Sequence, residues 1–89
     1  MELHNCMEDA VKKNVERILK GYNSVCNCPK CKLDITAVAL NNLPPQYTVT
    51  DKGKLFTKVK EMDAQYKVDI YREVTKAIEL VSRHPHHEI

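Results

Sequence analysis

Residues 26–47 read Cys26-Asn-Cys28-Pro-Lys-Cys31-Lys32-Leu-Asp34-Ile-Thr-Ala-Val-Ala-Leu-Asn41-Asn-Leu-Pro44-Pro45-Gln-Tyr47. Three cysteines within six residues converge readily on one tetrahedral cation, because a Cys-x-x-Cys turn presents two sulfurs on one side and Cys26 adds a third from just upstream. The stretch therefore reads as a metal knuckle that feeds into a helix over about Leu33 to Leu43, with Ile35, Val38, Ala39 and Leu43 facing inward and Asp34 in the first turn, where a negative charge suits the helix dipole. Pro44 and Pro45 end that helix, since they remove two backbone donors and drive Leu43 out of the α region. Tyr47 follows at the helix exit.

Upstream, Leu3, Met7, Ala10, Val11, Val15, Ile18, Leu19 and Tyr22 recur at spacings of three and four, with charged residues between them. That period predicts an amphipathic first helix from Leu3 or, if Asn5 and Glu8 form a capping pair, from Asn5, with Gly21 as its stop. Downstream, the alternation in Tyr47-Thr-Val-Thr predicts an extended piece, at most one arm of a short hairpin with Leu55 and Phe56. Leu55, Val59, Met62, Tyr66, Ile70, Val74, Ala77, Ile78 and Val81 then restore the helical period. No glycine or proline intervenes from Lys54 to His84, so one helix of about seven turns, roughly 40 Å, is expected. A helix that long outruns so small a core, and a symmetric dimer is the expected cover for its apolar line. The expected fold is thus mainly α: three helices, the last one long, with a cysteine-rich zinc knuckle between the first two.

The 89 residues suffice for a single domain, taken as 1–89. Folding buries roughly 60–65% of the unfolded surface at this size, so a metal or a second subunit is needed for firm stability. A net charge of +2 gives no general signal for nucleic acid; Lys52, Lys54, Lys58 and Lys60 read first as the solvated start of a helix. No apolar run reaches the ~18 residues of a membrane span, and Met1-Glu-Leu-His-Asn is acidic where a signal peptide is basic. A cytoplasmic location follows as the expectation, and with it reduced thiols rather than disulfides among the four cysteines.

A closed zinc site takes four ligands, and Cys26, Cys28 and Cys31 supply three. The tail offers His84, His86 and His87. His87 is preferred, then His86, then Cys6, which lies about fourteen residues up the first helix from Lys20, or roughly 20 Å away. Cys28-Pro-Lys-Cys31 also resembles the redox turn of glutaredoxin-like enzymes, but that fold needs a parallel sheet with a βαβ pattern, and the chain has at most one short strand pair. No enzyme is expected: the two glycines are far apart, Ser24 and Ser82 lack a nucleophile context, and the thiolate-rich cluster leaves no open metal position.

Cys26-x-Cys28-x2-Cys31-Lys32-x-Asp34-x2-Ala37-x-Ala39-Leu40-Asn41-x-Leu43-Pro44-Pro45-x-Tyr47 resembles the signature of the late competence development protein ComFB family. The likeness is dense over Cys26 to Gly53 and looser through the last helix. It implies a small bacterial cytoplasmic protein, a mainly helical symmetric dimer with zinc at the cysteines, and His87 as the closing histidine. It also implies a receptor for cyclic di-GMP that signals to a protein partner, with Lys32, Asp34, Asn41, Pro44, Pro45 and Tyr47 carried over as ligand-binding residues. The chemistry agrees: a lysine meets phosphate, a tyrosine stacks on guanine, and Asp or Asn reads a guanine edge. The second expectation is a competence-associated interaction module with a structural zinc and no nucleotide.

Overall fold

The computed structural model describes residues 2–83. Two short strands and four helices follow in order: β1 (His4–Asn5), α1 (Cys6–Leu19), α2 (Pro29–Asn41), β2 (Tyr47–Thr48), α3 (Asp51–Lys60) and α4 (Ala64–Arg83). The mainly helical class holds, but four helices stand where three were expected.

Asn5 starts α1. Its backbone is extended and its side-chain oxygen accepts the Met7 N–H at 3.1 Å, which satisfies one of the orphan donors of the first turn. Leu3 lies outside the helix and is exposed. The same Asn5 oxygen accepts the Gln46 N–H at 2.9 Å, while Cys6 N–H donates to the Gln46 carbonyl at 2.8 Å. One side chain therefore caps α1 and clasps it to the segment leaving α2. β1 and β2 extend this clasp as an antiparallel pair, His4 opposite Thr48 and Asn5 opposite Tyr47. The hairpin expected with Leu55 and Phe56 does not form, because the Thr50 hydroxyl accepts the Gly53 N–H at 3.1 Å and turns the chain into α3. Asn5→Ala is expected to cost about 2 kcal/mol, the loss of a cap and a buried tie together. Thermal melting followed by circular dichroism should show a fall of about 10 °C, with a smaller fall in Asn5→Asp, which keeps both acceptors.

At its far end α1 stops at Leu19 through bonds from Gly21 N–H to Ile18 O and from Tyr22 N–H to Leu19 O, both 3.0 Å. Gly21 keeps a negative φ, so the stop does not use the left-handed glycine cap that the sequence suggested. Helix α2 begins four residues earlier than expected. Pro29 sits at its first position, where a fixed φ is already helical and a missing N–H costs nothing, so Cys31 and Lys32 belong to the helix rather than to a loop.

The expected long helix breaks at Glu61–Asp63. Met62 N–H to Val59 O and Asp63 N–H to Lys60 O close α3, and Asp63 then caps α4, accepting the Gln65 N–H at 2.8 Å on its carboxylate and the Lys67 N–H at 3.1 Å on its carbonyl. The apolar line breaks with it. Ile70, Val74, Ala77, Ile78 and Val81 of α4 enter one core with Met7, Val11, Val15 and Ile18 of α1 and Ile35 and Ala39 of α2. Val38 and Leu43 pack at its edge. Leu55, Phe56, Val59 and Met62 stay 60–75% exposed, and none of the described side chains of α3 is buried; the helix rests chiefly on β2.

Tyr66 hydroxyl reaches the Met7 sulfur at 2.7 Å. Burial raises its pKa, with Glu61 and Cys6 adding to the effect. The Tyr66–Met7 contact brings the start of α4 to the start of α1, the end of α1 that carries the strand clasp.

Candidate metal centre

The cysteine end is shaped by the start of α2. Cys28 is the N-cap and Cys31 sits three residues in, so the first-turn N–H groups and the positive end of the helix dipole face the sulfurs. Cys26 is exposed, Cys28 half-buried and Cys31 buried, and their three sulfurs lie within 4.8 Å of one another. Sulfurs around zinc at about 2.3 Å stand roughly 3.8 Å apart, so a small inward motion brings this set to bonding distance.

The environments of two of these thiols differ. The Cys31 N–H donates toward the Cys28 sulfur and, with the Cys26 thiol beside it, lowers the Cys28 pKa to about 7. Burial, reinforced by the neighbouring Cys26 and Cys28 sulfurs, pushes Cys31 up to about 12. A divalent cation would override the latter effect, since a coordinating thiol gives up its proton. Three soft sulfur donors in tetrahedral reach of one another suit zinc, and Cys26, Cys28 and Cys31 are the residues that would hold it.

The proposed fourth ligands separate. His84, His86 and His87 lie outside the described residues. Cys6 does not join the sulfur group: it stands at the opposite end of α1, its sulfur 3.2 Å from the Thr48 hydroxyl, with a helix of about 21 Å between it and the knuckle.

The residues carried over for a nucleotide are spread along α2 and its exit. Lys32 turns toward α1 and holds Glu16 at 3.0 Å, and Asp34 holds Lys30 at 2.8 Å. Asp34 and Asn41, seven residues apart, share a helix face; Lys32, nine residues from Asn41, is on the opposite side, about 13 Å along the axis. Asn41, Pro44, Pro45 and Tyr47 are exposed, and the Tyr47 ring retains 60% of its accessibility. The four of them gather at the strand end, whereas Lys32 and Asp34 lie nearer the cysteines.

A feature that the sequence reading missed is a cleft of about 380 Å³ between α1 and α3, into which Lys12 and Lys13 project from one helix and Lys54 and Lys58 from the other. Lys52 and Lys60 do not line it. Only the α1 pair escaped notice in the sequence, because nothing local links residues 12–13 to 54–58.

No helix among the described residues is long and apolar enough to cross a membrane. A three-helix core with a two-stranded clasp at one end and a three-cysteine knuckle at the other defines a small helical domain with a cysteine cluster able to hold a metal ion. The chain belongs to the late competence development protein ComFB family, whose family model matches residues 4–85. It is also similar to the solved structure of the late competence protein ComFB from Bacillus subtilis, at 26% identity and a TM-score of 0.85, covering 97% of this chain and 94% of that one. No curated protein matches it. The resemblance carried by Cys26 to Tyr47 is thereby borne out.

Proposed function

We propose that the chain is a competence-related regulatory binding protein of the cytoplasm, non-catalytic and built as a zinc-stabilised homodimer. In this reading it receives cyclic di-GMP and passes the signal to a protein partner. The observation that carries the ligand part is Tyr47. A tyrosine ring left 60% exposed directly after the Pro44-Pro45 exit is not a core aromatic, and it offers a flat face on which a guanine can stack. Asn41, the last residue of α2, has an exposed amide to read a guanine edge, and a two-fold dimer would present both sets to a two-fold ligand. The family supports the competence assignment, the sulfur cluster supports zinc, and the uncovered apolar face of α3 supports the dimer.

Isothermal titration calorimetry with cyclic di-GMP tests this directly. Saturable heat is expected, with affinity reduced at least about tenfold in Tyr47→Ala, since stacking on one base contributes about 1–3 kcal/mol. Lys32 adds a second check. It is now paired with Glu16, so Glu16→Gln should free it for phosphate and tighten binding, while Lys32→Ala should weaken it. Absence of heat at high nucleotide concentration would overturn the ligand and leave the interaction module as the function.

A further inference from the structure

We infer that the cleft between α1 and α3 is a second anion site, one that takes a compact run of contiguous phosphates such as inorganic tripolyphosphate or the phosphate end of a nucleoside triphosphate. The proposal does not rest on cyclic di-GMP binding at Tyr47 and uses none of the residues assigned to it.

Two helical stripes oppose each other across this cleft. Asp9, Lys12 and Lys13 line it from α1, at spacings of three and four, and Lys54 and Lys58 line it from α3, with Glu61 in the turn just after that helix. Four ammonium groups meet two carboxylates, and Asp9 is already engaged by His4 at 3.0 Å. Lys30, Lys32, Arg72, Lys76 and Arg83 each stand within 4.0 Å of a carboxylate, whereas Arg17, Lys20, Lys52, Lys60 and Lys67 have no carboxylate partner among the described residues but do not line the cleft. Among the described residues Lys12, Lys13, Lys54 and Lys58 have no such partner. Lys54 and Lys58 are like charges at i,i+4 spacing and repel, and gathering them with Lys12 and Lys13 around one concavity raises that repulsion further. A bound anion would relieve it at all four positions.

The shape selects the anion. A concave space of about 380 Å³ walled by two helices accommodates a compact polyanion, which ammonium groups on flexible stems approach from both sides. Duplex nucleic acid fits less well. The lysines that would prolong a basic stripe, Lys52 and Lys60, are not on the cleft, and Asp9 and Glu61 border the four that are. An extended phosphate backbone would run past those carboxylates. A ligand seated here would also tie α3 to α1, which matters because α3 rests chiefly on β2.

The test is a titration of the isotopically labelled, zinc-loaded full chain with tripolyphosphate and, separately, with ATP, followed by amide chemical shifts. Saturable shifts are expected in residues 9–13 and 54–61, weakening as salt is raised. The double variant Lys12→Gln/Lys58→Gln should lose at least about tenfold in affinity while keeping its melting temperature. Glu61→Gln should gain affinity, an outcome that misfolding cannot imitate. Equal affinity for the two probes identifies the phosphates alone as the ligand, and tighter binding of ATP identifies a nucleotide; both support the site. Shifts confined to residues 26–32 and unchanged in the lysine variant would mean that the probes merely chelate zinc, and would overturn the proposal. So would binding of duplex DNA with shifts that include Lys52 and Lys60 when tripolyphosphate produces none.

Discussion

Stripping zinc with a strong chelator is expected to lower the melting temperature by roughly 20 °C, since a cation held at about a thousand times its dissociation constant adds about 4 kcal/mol and each kcal/mol moves a domain of this size by about 4–8 °C. Helix content at room temperature should survive, unlike in a zinc finger, because Cys31 is the single proposed ligand in a core otherwise built from apolar side chains of α1, α2 and α4. Cys26→Ser is the sharpest genetic equivalent. Cys26 is exposed and its sulfur fills no core space, so a serine there removes a ligand and little else. If Cys26→Ser keeps both its zinc and its melting temperature, the three sulfurs do not share a cation.

Acidity gives the same prediction a sign. Without metal, the Cys31 pKa is raised from 9.0 to about 12, so its contribution to the fold is fully present below pH 9 and is lost as pH rises from 9 toward 12. Cys28 goes the other way: lowered to about 7, it contributes above pH 9 and loses that contribution as pH falls toward 7. Metal binding demands thiolates at both. At neutral pH loading must therefore expel the Cys31 proton, and below about pH 7 it must expel one from Cys28 as well. Zinc retention after dialysis should fall steeply below pH 7. Calorimetry in buffers of different ionisation enthalpy should register at least one proton released per zinc at neutral pH.

The parts of the fold that were legible are those whose cause is local. The Met7, Val11, Val15, Ile18 period records one buried helix face, and three cysteines in six residues record a convergence that a single turn produces. The start of α2 was legible in principle as well, through Pro29 at a first helical position, but the cysteines around it argued for a loop. The break at Asp63 carried a weaker sign. Helices usually announce their ends with glycine or proline, and here an aspartate that caps the next helix does it without either. Nothing local marks the clasp. Asn5 and Gln46 are forty-one residues apart, and their bond exists only because α2 runs back along α1.

The candidate site divides the same way. Cys26, Cys28 and Cys31 are neighbours in sequence and in space. Lys32 and Tyr47 are near in sequence, yet a helix of known rise holds them apart and turns Lys32 toward Glu16. The basic cleft reverses the relation, since residues forty apart face one another across it. Lys52, Lys54, Lys58 and Lys60 looked like one stripe in the sequence, and the helical period splits them into two that line the cleft and two that do not.

Phe56→Asp combined with Val59→Asp is expected to convert the proposed dimer to a 10.3 kDa monomer at micromolar concentration, measured by sedimentation equilibrium. Leu55, Phe56, Val59 and Met62 form an apolar face on α3 and the turn after it, and none of the described residues covers it. Isolated exposed apolar residues need no explanation, but four at helical spacing on an element with no buried side chain among its described residues do. On a two-fold axis the same face meets itself, so every substitution enters the interface twice. Two buried aspartates per chain should together cost at least about 4 kcal/mol of association energy, or about a thousandfold in the dissociation constant. The core should be spared, because α3 contributes nothing to it, and the melting temperature extrapolated to low concentration should match that of the parent chain. A parent chain that sediments as a monomer at hundreds of micromolar would remove the dimer and require another cover for α3.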